Sequence, residues 1–301
     1  MAGHRRIPRS WSPVPVPGCR GGGGLAGGGG GPGISARPAA TMAHRAYCLG
    51  AMPYVTVNGL SLYYETYGSG WPLVLLHGGL LTIGSNFGPL LEPLAANRQV
   101  IAAEFQGHGR TVDNGRPLTM DALAGDVVAL LDHLGIGRAD LFGFSLGGLV
   151  AALVALSEPG RVGKLVIASA DPHRPPGRES RLPGPDRLPT EADFQAMREA
   201  YEAVAPDPGR FSDLPARTEA LVHTVAPWTE EQLRSLATPA LLIFGDRDFS
   251  PLQDVVELYD LLPDARLAVL PSTTHMGVIQ QPRELLALIT AFLDEPVPGI
   301  G

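Results

Sequence analysis

Apolar residues along the chain fall in short blocks. Over residues 54–57 and 60–66 apolar and polar side chains largely alternate, and Asn58-Gly59 between them is the preferred two-residue turn, so this stretch predicts a β-hairpin. Residues 72–76, 99–105, 139–142, 164–168, 240–244 and 266–270 are short and apolar, the pattern of strands covered on both faces. Between them the period changes. Leu123, Val127, Leu130, Leu131 and Leu134 recur at helical spacing and predict a helix over 119–134, capped by Thr119 or Asp121 and stopped by Gly135. Residues 148–156 are apolar on nearly every side, as in a buried helix. Two more helices are expected over about 252–262 and 282–293, the last with Pro282 in its first turn.

Short apolar strands alternating with helices imply an α/β fold, a mostly parallel doubly wound sheet. Ligands of such sheets sit beyond the carboxyl ends of the strands. His77, Phe105, Ser145, Ala170, Asp248 and the loop after Leu270 fall at those ends. One interval breaks the rhythm. Residues 171–237 begin with Pro172, Pro175, Pro176, Pro183, Pro185 and Pro189 and continue with helical patterns over about 190–204 and 213–224. That is too long for a loop and is expected to be an inserted helical cap, leaving 52–170 and 238–298 as the core.

Composition changes the picture mainly at the start of the chain. Residues 1–51 contain glycine runs at 21–24 and 27–31, six arginines and no acid. No apolar pattern is present to offset the entropy of ordering them, so a disordered extension outside the fold is expected, with Met42 and Met52 as alternative starts. The apolar core of a secretory signal is missing, and poly-glycine disfavours a transit helix. Cys19 and Cys48 both lie there, so the body offers neither disulfides nor a cysteine-ligated metal. The net charge of −7 carries no footprint for nucleic acid, and no apolar run is long enough to span a membrane. A cytoplasmic enzyme is expected, its oligomeric state not given by the sequence.

The chemistry centres on Gly143-Phe144-Ser145-Leu146-Gly147, set between a strand and a helix. This is the context of a nucleophile elbow, in which a sharp turn exposes the serine and the two glycines let strand and helix approach. A serine hydroxyl needs a base, and the base needs a carboxylate to fix its tautomer. His275 follows the strand ending at Leu270. Asp246 and Asp248 follow the strand before it. Asp248 is expected to orient His275, because its loop is short and pinned by Pro251. An oxyanion requires two N–H donors. Leu146 would supply one, and the loop after residues 72–76 the other, from Gly79 with Leu80 as the next choice.

Together, His77-Gly78-Gly79, Gln106-Gly107-His108-Gly109, Gly143-Phe144-Ser145-Leu146-Gly147-Gly148, Gly245-Asp246-Arg247-Asp248 and Thr274-His275 resemble the α/β-hydrolase superfamily over about residues 53–295. The likeness is to its esterase, lactonase and haloperoxidase-like members with an inserted cap. It agrees with Gly79 in the oxyanion hole and Asp248 in the triad. Leu80-Leu81 departs from the His-Gly-Gly-Pro-Gly of proline iminopeptidases, and Ser145 from the aspartate of dehalogenases and epoxide hydrolases. Glu104-Phe105-Gln106-Gly107 replaces the usual Asp-x-Arg-Gly.

The resemblance implies a serine hydrolase of small-molecule carboxylic esters or lactones, with Ser145, Asp248 and His275 as triad and no cofactor or metal. Two alternatives are hydrolysis of a C–C bond in a vinylogous diketone and a small-molecule receptor on the same fold. Leu80, Phe144, Trp228 and Met276 are expected to line the substrate pocket, with Leu81 and Phe249 as further possibilities. His77 is expected to hold the oxyanion loop and His108 to shape a turn. His133, His173 and His223 are expected at the surface, and Asp121, Asp126 and Asp132 on a solvated face.

Overall fold

The computed structural model describes residues 53–173, 184–224 and 226–296. The expected extension over 1–51 and the prolines at 175, 176 and 183 lie outside these residues.

The hairpin forms as expected, from β1 (Tyr54–Val57) and β2 (Leu60–Tyr67), with Asn58 and Gly59 both at positive φ. Then come β3 (Trp71–Leu76), α1 (Ile83–Ala95), β4 (Arg98–Ala103), α2 (Met120–His133), β5 (Ala139–Phe144), α3 (Leu146–Ser157) and β6 (Val162–Ala168). A helical insertion follows, with α4 (Glu191–Glu202), α5 (Leu214–Thr224) and α6 (Glu230–Ser235). The chain returns through β7 (Ala240–Arg247), α7 (Leu252–Leu261), β8 (Ala265–Thr274), α8 (His275–Ile279) and α9 (Pro282–Asp294). The eight strands form one sheet in the order β1-β2-β4-β3-β5-β6-β7-β8. β1 and β2 pair antiparallel, β2 pairs antiparallel with β4, and all remaining pairings are parallel.

Alternation along the central strands divides the core into two layers. Val74, Leu76, Ile101, Leu141 and Leu165 face Leu123, Val127, Leu130, Val150 and Val154 of α2 and α3. Leu73, Leu75, Phe142, Val166 and Ile243 face Phe87, Leu90 and Leu94 of α1 and Leu285 and Ile289 of α9. Thr119, not Asp121, caps α2, accepting from the Ala122 N–H. Lys164 donates to the Phe292 and Leu293 carbonyls (2.8 and 2.9 Å), tying β6 to the end of α9.

The sequence pattern did not reveal α1. Its buried Ile83, Phe87, Leu90 and Leu94 do recur at helical spacing, but Gly84, Gly88, Pro89 and Pro93 lower the propensity. The reciprocal cap between Thr82 and Ser85 starts the helix, and both prolines face solvent. In register, Leu76 lies beside Gly143, Phe144 beside Ala168, and Ala168 beside Ile243. The carboxyl ends of β3, β5 and β6 are therefore nearly level, while β7 runs on past Ile243 to Arg247.

Candidate active site

The turn after β5 is as tight as the sequence implies. Ser145 has φ +51° and ψ −118°, a conformation that strains any residue with a Cβ. Its N–H donates to the Ala168 carbonyl at 2.8 Å, which anchors the turn to β6. A Cβ on Gly143 would lie 2.1 Å from the Gly147 carbonyl oxygen, and one on Gly147 only 1.9 Å from that of Leu76. Neither position has room for a side chain.

Three expected residues meet here. His275 Nε2 lies 3.0 Å from Ser145 Oγ, and His275 Nδ1 lies 2.7 Å from Asp248 Oδ1. The carboxylate can only accept, so Nδ1 carries the proton and Nε2 is left as the base toward serine. Asp248 is 1% exposed. Burial pushes its carboxyl up. Hydrogen bonds from His275, from the Ser169 hydroxyl and from the Phe249 N–H outweigh that and hold it below the ordinary range. Ser169 donates to Oδ2 at 2.6 Å. Sequence reasoning missed this residue; its signal was a lone hydroxyl at the carboxyl end of β6.

Asp246 is engaged elsewhere. It accepts the Thr273 N–H at 2.9 Å, and backbone bonds from Ser272 and Thr273 hold its carboxyl low. Arg247 pairs with Asp186 of the insertion at 2.6 Å. Of the two acids, only Asp248 hydrogen-bonds His275.

The loop after β3 turns through Leu80 at φ +66°, closed by a bond from the Leu81 N–H to the Gly78 carbonyl. The N–H groups of Gly79, Leu80 and Leu146 have no protein acceptor among the described residues. His77 holds this loop: Nδ1 donates to the Gly78 carbonyl at 2.7 Å and Nε2 accepts the Phe105 N–H at 3.0 Å. Full burial, then the nearby His108, drives its pKa down to about 3, so it stays neutral. A Cβ on Gly79 would strike Thr218 of α5 at 2.6 Å, so the insertion lies directly over this loop.

The structure also accounts for the departure at Gln106. The buried Glu104 accepts from Arg110 and from the backbone of Ile83 and Arg110. Gln106 donates to Asp113 and to the Arg116 carbonyl, and accepts from Arg116 Nε at 2.6 Å. Asp113 in turn receives Arg217 of α5 at 2.8 Å. The neutral amide thus links core and insertion where an arginine is usual.

Two expectations of exposure, those for Asp126 and His173, need correction. Asp126 is not on a solvated face: it is 1% exposed, paired with Arg116 and hydrogen-bonded by Asn58. The apolar spacing of α2 hid this, because an ion pair over a helix flank leaves no periodic trace. Asp121 and Asp132 are exposed as expected. His173 is buried, its N–H accepted by Asp171. His108 is fully buried in its turn, Nδ1 donating to the Gln106 carbonyl. His133 is exposed, and the side chain of His223 lies outside the described ones.

Of the expected pocket residues, Phe144 is buried in one apolar cluster with Leu81, on which Leu80 and Met276 pack. Trp228 packs on the other, around Leu146, Val150 and Leu221. A cleft of about 250 Å³ opens nearby between Gly107, Thr111 and Asp113 of the core and Tyr201, Arg210 and Arg217 of the insertion. It contains no residue of the Ser145–His275–Asp248 relay. Among the described residues no group of His, Cys, Asp or Glu could hold a metal, and no helix is long and apolar enough to cross a membrane.

The Alpha/beta hydrolase family model matches residues 73–288. A non-heme haloperoxidase of Rhodococcus erythropolis is 30% identical over 74% of this chain and 93% of its own length. Among solved structures, an N-acyl homoserine lactone degrading enzyme, Est816, superposes with a TM-score of 0.62 at 26% identity, over 80% of this chain and 100% of that one. The meta-cleavage product hydrolase CumD of Pseudomonas fluorescens superposes with a TM-score of 0.65 at 20% identity, over 80% and 97%, a likeness of fold.

Proposed function

The chain belongs to the alpha/beta hydrolase family, and from that premise we propose that it is a serine hydrolase of carboxylic ester or lactone bonds in small molecules. The observation that carries this reading is the relay from Ser145 Oγ through His275 to Asp248, with links of 3.0 and 2.7 Å. Both are within the reach of proton transfer and tautomer control. Ser145 attacks the carbonyl carbon while His275 Nε2 takes its proton. The negative charge on the carbonyl oxygen is received by the N–H of Leu146, at the positive end of α3, and by that of Gly79. His275 then returns the proton to the leaving alcohol, and the acyl group remains on Ser145. Water attacks the acyl-enzyme with His275 again as base, and His275 then gives that proton to the departing Ser145 oxygen, which frees the acid and restores the hydroxyl. No cofactor or metal takes part.

The insertion serves as the cap. Thr218 close over Gly79 and the Arg217–Asp113 pair support this reading. Leu80, Phe144 and Met276 form the apolar wall for the acyl group. Trp228 belongs to the cap's apolar packing on the core.

The experiment is labelling by a fluorophosphonate, with turnover of a panel of p-nitrophenyl esters, lactones and a vinylogous diketone. Labelling at Ser145 and ester or lactone turnover, both abolished in Ser145→Ala, is the expected result. Turnover of the diketone alone would favour carbon–carbon cleavage. Ligand binding without turnover would favour a receptor.

A further inference from the structure

Ser169 stands directly after β6 with its backbone in the left-handed region, φ +54°. A glycine there would carry no strain. Its N–H is committed to the Ile243 carbonyl of β7 at 2.9 Å, which holds the residue in place. The side chain is buried, and its hydroxyl donates to Asp248 Oδ2 at 2.6 Å. The two oxygens of Asp248 are thereby divided. Oδ1 receives His275 Nδ1 and the Phe249 N–H, both at 2.7 Å, and Oδ2 receives Ser169.

We infer that Ser169 is a positioning residue of the triad, whose hydroxyl fixes the rotation of the Asp248 carboxylate so that Oδ1 faces the imidazole. This rests on the serine-hydrolase reading. The Phe249 N–H belongs to the next residue and moves with the same loop, so it cannot fix the carboxylate against the sheet. Ser169 can, because it is anchored on β6 and β7. Other charged groups near Asp248 act elsewhere. Arg187 of the insertion reaches its backbone carbonyl at 3.4 Å, Arg247 pairs with Asp186, and Asp246 is turned to the Thr273 N–H. His275 and Ser169 are the side chains that bond the carboxylate among the described residues.

Without the hydroxyl, Oδ2 would be buried and unpaired. The carboxylate would then hold a proton more strongly. That moves the acid limb of the pH profile upward.

The test is the rate of fluorophosphonate labelling of Ser145 against pH, which needs no knowledge of the natural substrate. Ser169→Ala removes the hydroxyl. Ser169→Gly removes it and also relieves the strained φ, so the second variant keeps the fold where the first does not. Both are expected to label about tenfold more slowly at neutral pH, the worth of one charge-assisted hydrogen bond, with the acid limb shifted up. Wild-type rate and profile in Ser169→Gly would overturn the inference. So would a slower rate with an unmoved acid limb, the mark of a structural role alone. Failure of wild-type Ser145 to label, with ester turnover persisting in Ser145→Ala, would overturn the serine-hydrolase reading itself.

Discussion

Phe249 lies flat on His275, with ring centroids 3.9 Å apart and planes 8° from parallel. Phe144, directly before Ser145, packs on the same imidazole at 5.1 Å. The stack restrains the ring, and in the proposed mechanism it sets an aromatic face against the charge imidazole gains with the serine proton. Phe249→Leu keeps the bulk and loses the π face. It is expected to lower kcat on p-nitrophenyl acetate by about threefold to thirtyfold, the range of a cation–π contact. Unchanged kcat would reduce Phe249 to a filler.

Asp248→Asn is expected to keep the fold and cut kcat by up to roughly 10⁴, because an amide favours the wrong tautomer of His275. Asp246→Asn is expected to cost far less, since Asp246 serves the Thr273 backbone. Steady-state kinetics of the two variants, beside their melting curves, separates the roles. A large loss at Asp246 with near-normal turnover in Asp248→Asn would reassign the acid.

The sheet was legible because each central strand is apolar on both faces and each ends in glycine or polar residues. The elbow was legible because Gly143 and Gly147 sit where only hydrogen fits, a constraint that sequence records directly. Hidden features depend on partners distant in sequence. Ser169 and Asp248 are 79 residues apart, and a lone hydroxyl after β6 does not say which side chain it bonds. Asp126 is covered by Arg116 from a loop, so its burial cannot be seen in the period of α2. The helix α1 was masked by prolines that the fold places on its solvent side, where their missing N–H groups do the least harm. The layer that Trp228 joins was equally invisible, because an aromatic residue in an insertion carries no mark of it.

Asp126 supports a prediction about stability. It accepts from Arg116 and from Asn58 Nδ2 at 3.0 Å, and it is buried. Asp126→Ala takes the carboxylate away from Arg116, which keeps its bond to Gln106. The expected loss is roughly 2–3 kcal/mol in urea unfolding, below the full figure for a buried pair because Arg116 is partly exposed. Asp121→Ala, one residue inside the same helix and exposed, is expected to change stability by less than about 0.5 kcal/mol. Equal effects of the two would mean that the Arg116 pair contributes nothing.

The buried histidines give the last prediction, on acid stability. His77 and His108 are fully buried, and burial lowers their pKa values to about 3 and about 4. In the unfolded chain both titrate near 6.5. Between those limits the unfolded state binds more protons, so each histidine makes stability rise with pH. Their contribution is complete above about pH 6.5 and is lost as pH falls toward 4 and then 3, by up to about 1.4 kcal/mol per pH unit for each. Glu104 and Asp140, pushed up by burial, act in the opposite sense where they titrate. The wild-type curve sums all of these, and a variant isolates one. His108→Asn keeps an N–H near the position of Nδ1, which donates to the Gln106 carbonyl. Nothing is stranded by losing Nε2, which has no partner among the described residues. The variant is expected to be less stable at pH 7 because of the space it leaves, yet to lose less stability than wild type between pH 6.5 and 4. Urea midpoints at half-unit intervals of pH measure this directly. Parallel curves would mean that His108 is already protonated in the folded protein, and that its Nε2 has found an acceptor.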